Sequence, residues 1–333
     1  MINLDLRTIS MMDWLENDLL MTISSCEVAS SDASFRRYFR VISEQCSYIV
    51  MDAPPEKENI DAFLSVAELL SASGVNVPII YQQNKDDGFL LLEDFGSECF
   101  LDKLNAQSAS GLYKIACDEL FKLHSMVNTK KIALPVYDEA FFHRELVIFE
   151  EWFLNGLLDV DTPVVLWGNL NAKLISSALE QPVVCVHRDY HSRNLMYLND
   201  NSVGVIDFQD AVLGPITYDL VSLLKDCYIA WPDSEVESWM FDYYQRLIQA
   251  NLIECAAEDF KRWFDLMGMQ RHLKAVGIFA RLHLRDSKSN YLKDIPRTLA
   301  YIIQISTQYS DFEAWGGYLE HQILPKFEGY LLT

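Results

Sequence analysis

Val183-Val184-Cys185-Val186-His187-Arg188-Asp189-Tyr190-His191-Ser192-Arg193-Asn194-Leu195 and the shorter run Val203-Gly204-Val205-Ile206-Asp207-Phe208 decide how this chain is read. Each opens with β-branched apolar residues and closes on polar ones. That is the pattern of a buried strand delivering a side chain to the mouth of a cleft. Asp189 and Asn194 stand five positions apart on one tight loop, and Asp207 follows 18 residues after Asp189, on the next expected strand.

The surrounding chain has the bulk to support such a site. Its 333 residues can bury a large core and split into two lobes, and half of them are hydrophobic, which excludes a disordered chain. The balance of 27 basic against 48 acidic residues, net −21, argues against nucleic-acid partners and anionic membrane surfaces, which select basic stripes. Against that field, a site for phosphates needs local basic residues or metal ions. The seven cysteines form no C-x-x-C pair, and we read them as reduced core thiols. No apolar run approaches 18 residues, so no membrane insertion is expected. The N-terminus lacks the basic-then-apolar layout of a signal peptide, and a cytoplasmic location is expected.

Taken in order, residues 8–21 read as an amphipathic helix followed by a polar loop. Ser30-Ser31-Asp32-Ala33-Ser34-Phe35-Arg36-Arg37-Tyr38-Phe39-Arg40-Val41 turns from small polar residues into a strand pattern, and Tyr48–Asp52 is a second strand. Small residues in that turn would let backbone N–H groups approach phosphates, with Arg36 or Arg37 as a clamp. The plainer reading is a hairpin with surface arginines. A helix from Asn59 or Asp61 to about Ser73, a strand at 77–81, a turn at Asp87-Gly88 and a strand ending at Glu93-Asp94 complete a β-rich segment. From about Ser97 onward the pattern is helical, with helices expected at about 111–127, 139–158, 167–180, 234–251, 256–273, 274–286, 294–310 and 313–328. The lobe boundary is expected near 95–97, giving lobes of 1–95 and 96–333.

His187-x-Asp189-x-x-x-x-Asn194, then Ile206-Asp207-Phe208, Gly214-Pro215 and Asp219-Leu220, form the layout of a kinase catalytic loop and its metal-binding strand end. Phosphoryl transfer needs an aimed acceptor hydroxyl whose proton is accepted, which suits Asp189. It also needs charge neutralisation, which suits Asn194 and Asp207 as Mg²⁺ ligands, since magnesium takes hard oxygen donors. A divalent-metal hydrolase built on His187, Asp189, His191 and Asp207 competes for the same residues but leaves Asn194 and the β-rich segment unexplained. A nucleotide-binding module without catalysis would be expected to lack Asp189 or Asp207, and both are present.

With these blocks in view, the chain resembles the aminoglycoside phosphotransferase and choline kinase superfamily, a relative of the protein kinases, over nearly its whole length. Ser31-Asp-Ala-Ser-Phe-Arg-Arg-Tyr-Phe-Arg40, Val50-Met-Asp-Ala-Pro-Pro55, Leu91-Leu-Glu-Asp-Phe-Gly96 and Gly277-Ile-Phe-Ala-Arg-Leu282 point within it to a bacterial branch. That branch phosphorylates N-acetylmuramate and N-acetylglucosamine at the anomeric hydroxyl during cell-wall recycling. The resemblance implies an α+β, bilobal, protein-kinase-like fold with a small β-rich N-terminal lobe and a larger, mainly helical C-terminal lobe. It implies ATP and Mg²⁺ as cofactors and a small-molecule amino sugar as partner. An aminoglycoside or a choline-like acceptor is the alternative within the superfamily. Asp189 would be the catalytic base, and Asn194 and Asp207 the metal ligands. Ser34, Arg36 and Arg37, on a loop covering the phosphates, and Glu93 to Phe95, at the hinge for adenine, would hold the nucleotide. Asp219 would brace the catalytic loop.

The chain departs from the kinase pattern at one strand. Tyr48-Ile49-Val50-Met51-Asp52 carries no lysine for the phosphates, and Phe63 falls near the position of the glutamate that would hold it. Losing both members leaves no unpaired buried charge. Arg36, Arg37 and Arg40 are the nearest replacements. For the acceptor, Glu145 and Glu150 with Trp152, and the series Arg271, Arg281 and Arg285, are the candidates. Arg281 and Arg285 share a helix face and would suit a carboxylate. Ordinary salt bridges with Asp286, Glu145 or Glu150 are the competing reading of these arginines.

Overall fold

The structure, a computed structural model, describes residues 5–31, 35–128 and 134–332. The chain divides into two compact units, Met1–Lys103 with Asn194–Asp210, and Leu104–Arg193 with Ala211–Thr333. The β-rich beginning and the helical remainder are as the sequence predicts.

The first unit opens with helix α1 (Leu6–Asp13). The Asp5 side chain caps it by accepting the Thr8 N–H at 2.8 Å, and the chain continues as a π-helical turn over Trp14–Asp18. Strands β1 (Ile23–Ser31), β2 (Arg37–Ser43), β3 (Cys46–Asp52), β4 (Ile80–Asn84) and β5 (Phe89–Glu93) form an antiparallel sheet in the order β1-β2-β3-β5-β4. Met11, Trp14 and Leu15 pack on one face of it, against Phe39, Val41, Val50, Phe89 and Leu91. Alternation along β2 puts Arg37 on that same face and Arg40 on the other. β1 corrects the expectation of a polar loop: its serine-rich sequence has no apolar alternation because it lies at the sheet's edge. The Asp87-Gly88 turn joins β4 to β5, and β4 begins three residues later than expected. Helix α2 (Ile60–Ala72) is capped by Asn59. Helix α3 (Phe100–Lys103) follows, and a late hairpin, β6 (Leu195–Tyr197) with β7 (Val203–Val205), completes the unit. That hairpin's first strand lies between the two predicted site strands.

The second unit holds helices α4 (Ala109–Met126), α5 (Glu139–Ile148), α6 (Val164–Leu179), α7 (Tyr218–Leu224), α8 (Asp233–Gln249), α9 (Ala257–Asp286), α10 (Ile295–Gln308), α11 (Glu313–Tyr318) and α12 (Leu324–Leu331). A two-stranded sheet pairs Val183–Val186 with Val212–Pro215. The helix expected over 139–158 changes to π-helical turns at Phe149, and the two helices expected over 256–286 are one continuous α9. Gly277 of α9 lies against the Ile148–Phe149 backbone so closely that a Cβ there would sit 2.5 Å from the Ile148 carbonyl. Only glycine permits that crossing. Of the seven free cysteines, Cys185 and Cys227 are buried, whereas Cys46 is exposed, so the expectation of core thiols holds for part of the set. Among the described residues no helix is long and apolar enough to cross a membrane.

Candidate active site

In the helical unit, the strand Val183–Val186 delivers His187-Arg188-Asp189, and α7 fixes them. The fully buried Asp219 accepts the His187 N–H at 2.6 Å and the Arg188 N–H at 3.0 Å. Burial pushes the Asp219 carboxyl up to about 6, against the pull of His187 and those two N–H groups. Arg188 takes a left-handed backbone conformation, φ 78°, which costs a non-glycine residue on the order of 1 kcal/mol. Its side chain is correspondingly tied down, with Nη2 donating to Glu145 Oε1 at 2.8 Å. Lys274 Nζ reaches the same oxygen at 2.7 Å and the Tyr218 hydroxyl at 3.1 Å. Tyr137 donates its hydroxyl to Glu145 Oε2. Glu145 is 4% exposed; burial would raise its pKa, but Lys274 and Arg188 outweigh it and hold the carboxyl below its ordinary value.

Asp189 follows the same logic. Burial opposes its ionisation, and the charges of Lys274, His191, Arg271 and Arg188 more than offset it, so the carboxylate is the resting form. The rest of the loop is anchored independently. The Tyr190 hydroxyl donates to the Ala116 carbonyl at 2.8 Å, and the Ser192 N–H and hydroxyl donate to Asp226 at 3.0 and 2.5 Å. The His191 ring meets Tyr228 edge-on, with centroids 5.4 Å apart.

In the sheet-bearing unit, Asn194 Nδ2 donates to Asp207 Oδ2 at 3.3 Å, and Gln209 Nε2 donates to Oδ1 at 2.8 Å. Asp207 also has a left-handed backbone, φ 65°. Phe208, next to it, packs on Phe63 of α2 with centroids 4.8 Å apart, and both rings are buried. An aromatic contact therefore ties α2 to the Asp207 segment at the position where the kinase pattern puts the glutamate of an ion pair. Asn194 and Asp207 bring an amide and a carboxylate side by side, with the amide nitrogen toward the carboxylate, and both residue types carry the hard oxygens that magnesium takes along with water and phosphate oxygens. Among the described residues no group of three or more His, Cys, Asp or Glu is placed to hold a metal ion.

The residues predicted for the nucleotide are in the same unit. Ser34 lies outside the described residues. Arg36 pairs with Glu58 at 3.0 Å. Arg37 pairs with Asp5 and with the fully buried Asp52, which also accepts from Arg7 at 2.5 Å. Arg40 grips Asp94 at 2.6 and 2.9 Å and the Gly96 carbonyl at 2.7 Å. Glu93 accepts the Ile79 N–H at 3.2 Å. The Phe95 ring lies on Gly204, where a Cβ would come within 2.4 Å of it.

Of the residues predicted for the acceptor, Glu145 is brought to the catalytic loop, but as a buried partner of Arg188 and Lys274. Glu150 accepts from the Trp167 indole at 2.9 Å. Arg285 pairs with the neighbouring Asp286 at 2.8 Å, the competing salt-bridge reading. Arg281 has a buried Nε with no hydrogen-bond partner. Lys274 and Asp226 were not singled out from sequence. Lys274 stands three residues after Arg271, a same-face spacing that was available as a signal. Nothing in the sequence marks Asp226.

Comparison with known proteins agrees with this geometry. The N-acetylmuramate/N-acetylglucosamine kinase of Pseudomonas putida is 44% identical over 315 residues, covering 90% of this chain and 92% of that protein. The kinase of the same name from Pseudomonas aeruginosa is 46% identical over 278 residues, covering 82% and 81%. Choline kinase LicA from Streptococcus pneumoniae shares the fold, with TM-score 0.64 at 13% identity over 89% of this chain and 99% of that one. A sequence model of the phosphotransferase enzyme family, APH, matches residues 25–252, and the chain belongs to that family.

Proposed function

We propose that this protein is an ATP- and Mg²⁺-dependent kinase that transfers a phosphoryl group to the anomeric hydroxyl of N-acetylmuramate and N-acetylglucosamine. The observation that carries the reading is the identity of 44% and 46% with two kinases named for those sugars, extending over most of each chain. The ionised, rigidly held Asp189 supports it. Asp189 accepts the proton of the C1 hydroxyl and aims that oxygen at phosphorus. Asp219, Asp226 and Glu145 position the loop from below. Glu145, predicted as a sugar ligand, is assigned this positioning role because its carboxylate is buried and already engaged. Asn194 and Asp207 would hold the magnesium ion, which supplies charge neutralisation at the phosphate oxygens. Ser34 and Arg36 are assigned to the loop over the phosphates and Glu93 to Phe95 to the adenine hinge, whereas Arg37, at the start of β2 and held by Asp5 and Asp52, is assigned a structural role. A cytoplasmic location, where ATP is at hand, is assigned with this reading.

The test is an acceptor panel with ATP and Mg²⁺ that includes both amino sugars, an aminoglycoside and choline, read by phosphorus NMR. The expected product is a sugar 1-phosphate. A 6-phosphate product removes the anomeric assignment, and turnover with choline or the aminoglycoside alone removes the sugar reading.

A further inference from the structure

Among the described residues, the buried and half-buried cations packed about the catalytic loop pair with carboxylates, except Arg271. Lys274 has Glu145 at 2.7 Å, Arg188 has Glu145 at 2.8 Å, and Lys225 has Asp265 at 2.9 Å. Arg271, on α9 and 7% exposed, donates only from Nη1, to the Cys227 sulfur at 3.8 Å, and forms no ion pair among the described residues. A thiol is a weak acceptor, so most of the guanidinium's donor capacity is unspent. The carboxylates around it are spoken for. Asp226 accepts from Ser192 and the Tyr228 N–H, and Asp189 is the proposed base. Arg271 feels the charges of Asp189 and Asp226 without a direct bond to either, and leaving buried guanidinium N–H groups without an acceptor is costly. Arg271 nonetheless lies close enough to Asp189 for its charge to act on that carboxylate. Beside Asp189 on the loop, His191 has a buried Nδ1 with no hydrogen-bond partner among the described residues.

A planar guanidinium with free N–H groups matches a carboxylate or a phosphate in a two-pronged contact. We propose that Arg271 binds the carboxylate of the acceptor and so makes the enzyme favour an acidic amino sugar over a neutral one, with His191 Nδ1 meeting a neighbouring polar group of the same sugar. This rests on the sugar-kinase reading above. It assigns to Arg271 the task the sequence suggested for Arg281 and Arg285. Arg285 already has Asp286 as its counter-ion.

The two sugars provide an internal control, because both receive the phosphate but only N-acetylmuramate carries a carboxylate. Steady-state kinetics of Arg271→Met with both should show kcat/KM for N-acetylmuramate reduced by about 10- to 100-fold more than that for N-acetylglucosamine, whose own loss reports the charge that Arg271 lends to Asp189. Arg271→Lys, which keeps the charge but loses the fork, should fall between. An equal loss on both sugars would mean that Arg271 serves Asp189 or the transferred phosphoryl group alone, and overturns the proposal. Thermal melts give a readout independent of turnover. N-acetylmuramate should raise the wild-type Tm more than N-acetylglucosamine does, and the difference should vanish in Arg271→Met. A variant that melts well below wild type without ligand would make Arg271 a structural tie and also defeat the proposal. Wild-type enzyme that phosphorylates neither sugar defeats the underlying reading; turnover of both with an equal loss defeats only the role of Arg271.

Discussion

Replacing Glu145 by glutamine distinguishes a positioning residue from a sugar ligand. The substitution keeps the side chain's size but removes the charge that Arg188 and Lys274 share, at 2.8 and 2.7 Å. Those cations are 18% and 9% exposed at their side chains, so water screens them poorly. Taking away one partner of a buried ion pair costs about 3–5 kcal/mol. At an unfolding entropy of about 2.1 cal/mol/K per residue, each kcal/mol moves the melting temperature of this 333-residue chain by about 1.4 °C. Glu145→Gln should therefore melt roughly 4–7 °C below wild type. Arg188 would also lose the contact that stabilises its left-handed backbone, so kcat should fall with stability while KM for the sugar changes little. Differential scanning calorimetry and steady-state kinetics on the same preparation measure both. A variant that melts within about 2 °C of wild type and shows only a raised sugar KM would refute this reasoning and restore Glu145 as a sugar ligand.

Asp189→Ala should lower kcat by about 10²- to 10⁴-fold, the worth of a positioned general base, while ATP affinity by titration calorimetry is unchanged; retained turnover would sink its role. Gly204→Val drives a side chain into the Phe95 ring, which lies 2.4 Å from the nearest Cβ position, and should cost about 1–3 kcal/mol and weaken ATP binding. Unchanged melting and affinity would show that the hinge does not depend on that contact. Because burial raises Asp219 to about 6, protonation as pH falls through that value weakens its hold on the His187 and Arg188 N–H groups. Turnover should show an acid limb near pH 6 that Asp189, held below its ordinary value, does not supply. The sign for stability is opposite: a raised carboxyl favours the fold fully below its unfolded pKa, and this contribution is lost as pH rises through about 6. A limb that persists unchanged in Asp219→Asn belongs to another group.

The catalytic block was legible because its chemistry is local. A β-branched strand, a five-residue loop and a second strand end are contiguous patterns, and turn and cap signals at Asn59 and Gly88 worked for the same reason. What the sequence did not reveal depends on residues far apart. Asp52 is neutralised by Arg7, 45 positions away, and Glu145 by Lys274, 129 positions away. A carboxylate destined for burial looks the same in sequence as one destined for a ligand. β1 was missed because an edge strand of serines and a polar loop share one composition, and pairing with β2 alone distinguishes them. The break expected within 256–286 was misplaced in kind, since polar Gln270, Arg271, His272 and Lys274 interrupt the apolar pattern but are buried in a single helix.

The contact between Gly277 and the Ile148 backbone sets the rotational phase of α9. A helix advances about 100° per residue, so the azimuths of Arg271 and Lys274 are fixed by how far each lies from that one seat. A single residue inserted between Lys274 and Gly277 would leave the helix hydrogen-bonded and both cations in the sequence, yet swing them by about 100° away from Cys227 and Glu145. The electrostatics around Asp189 are in this sense timed by a residue that has no side chain and touches no substrate.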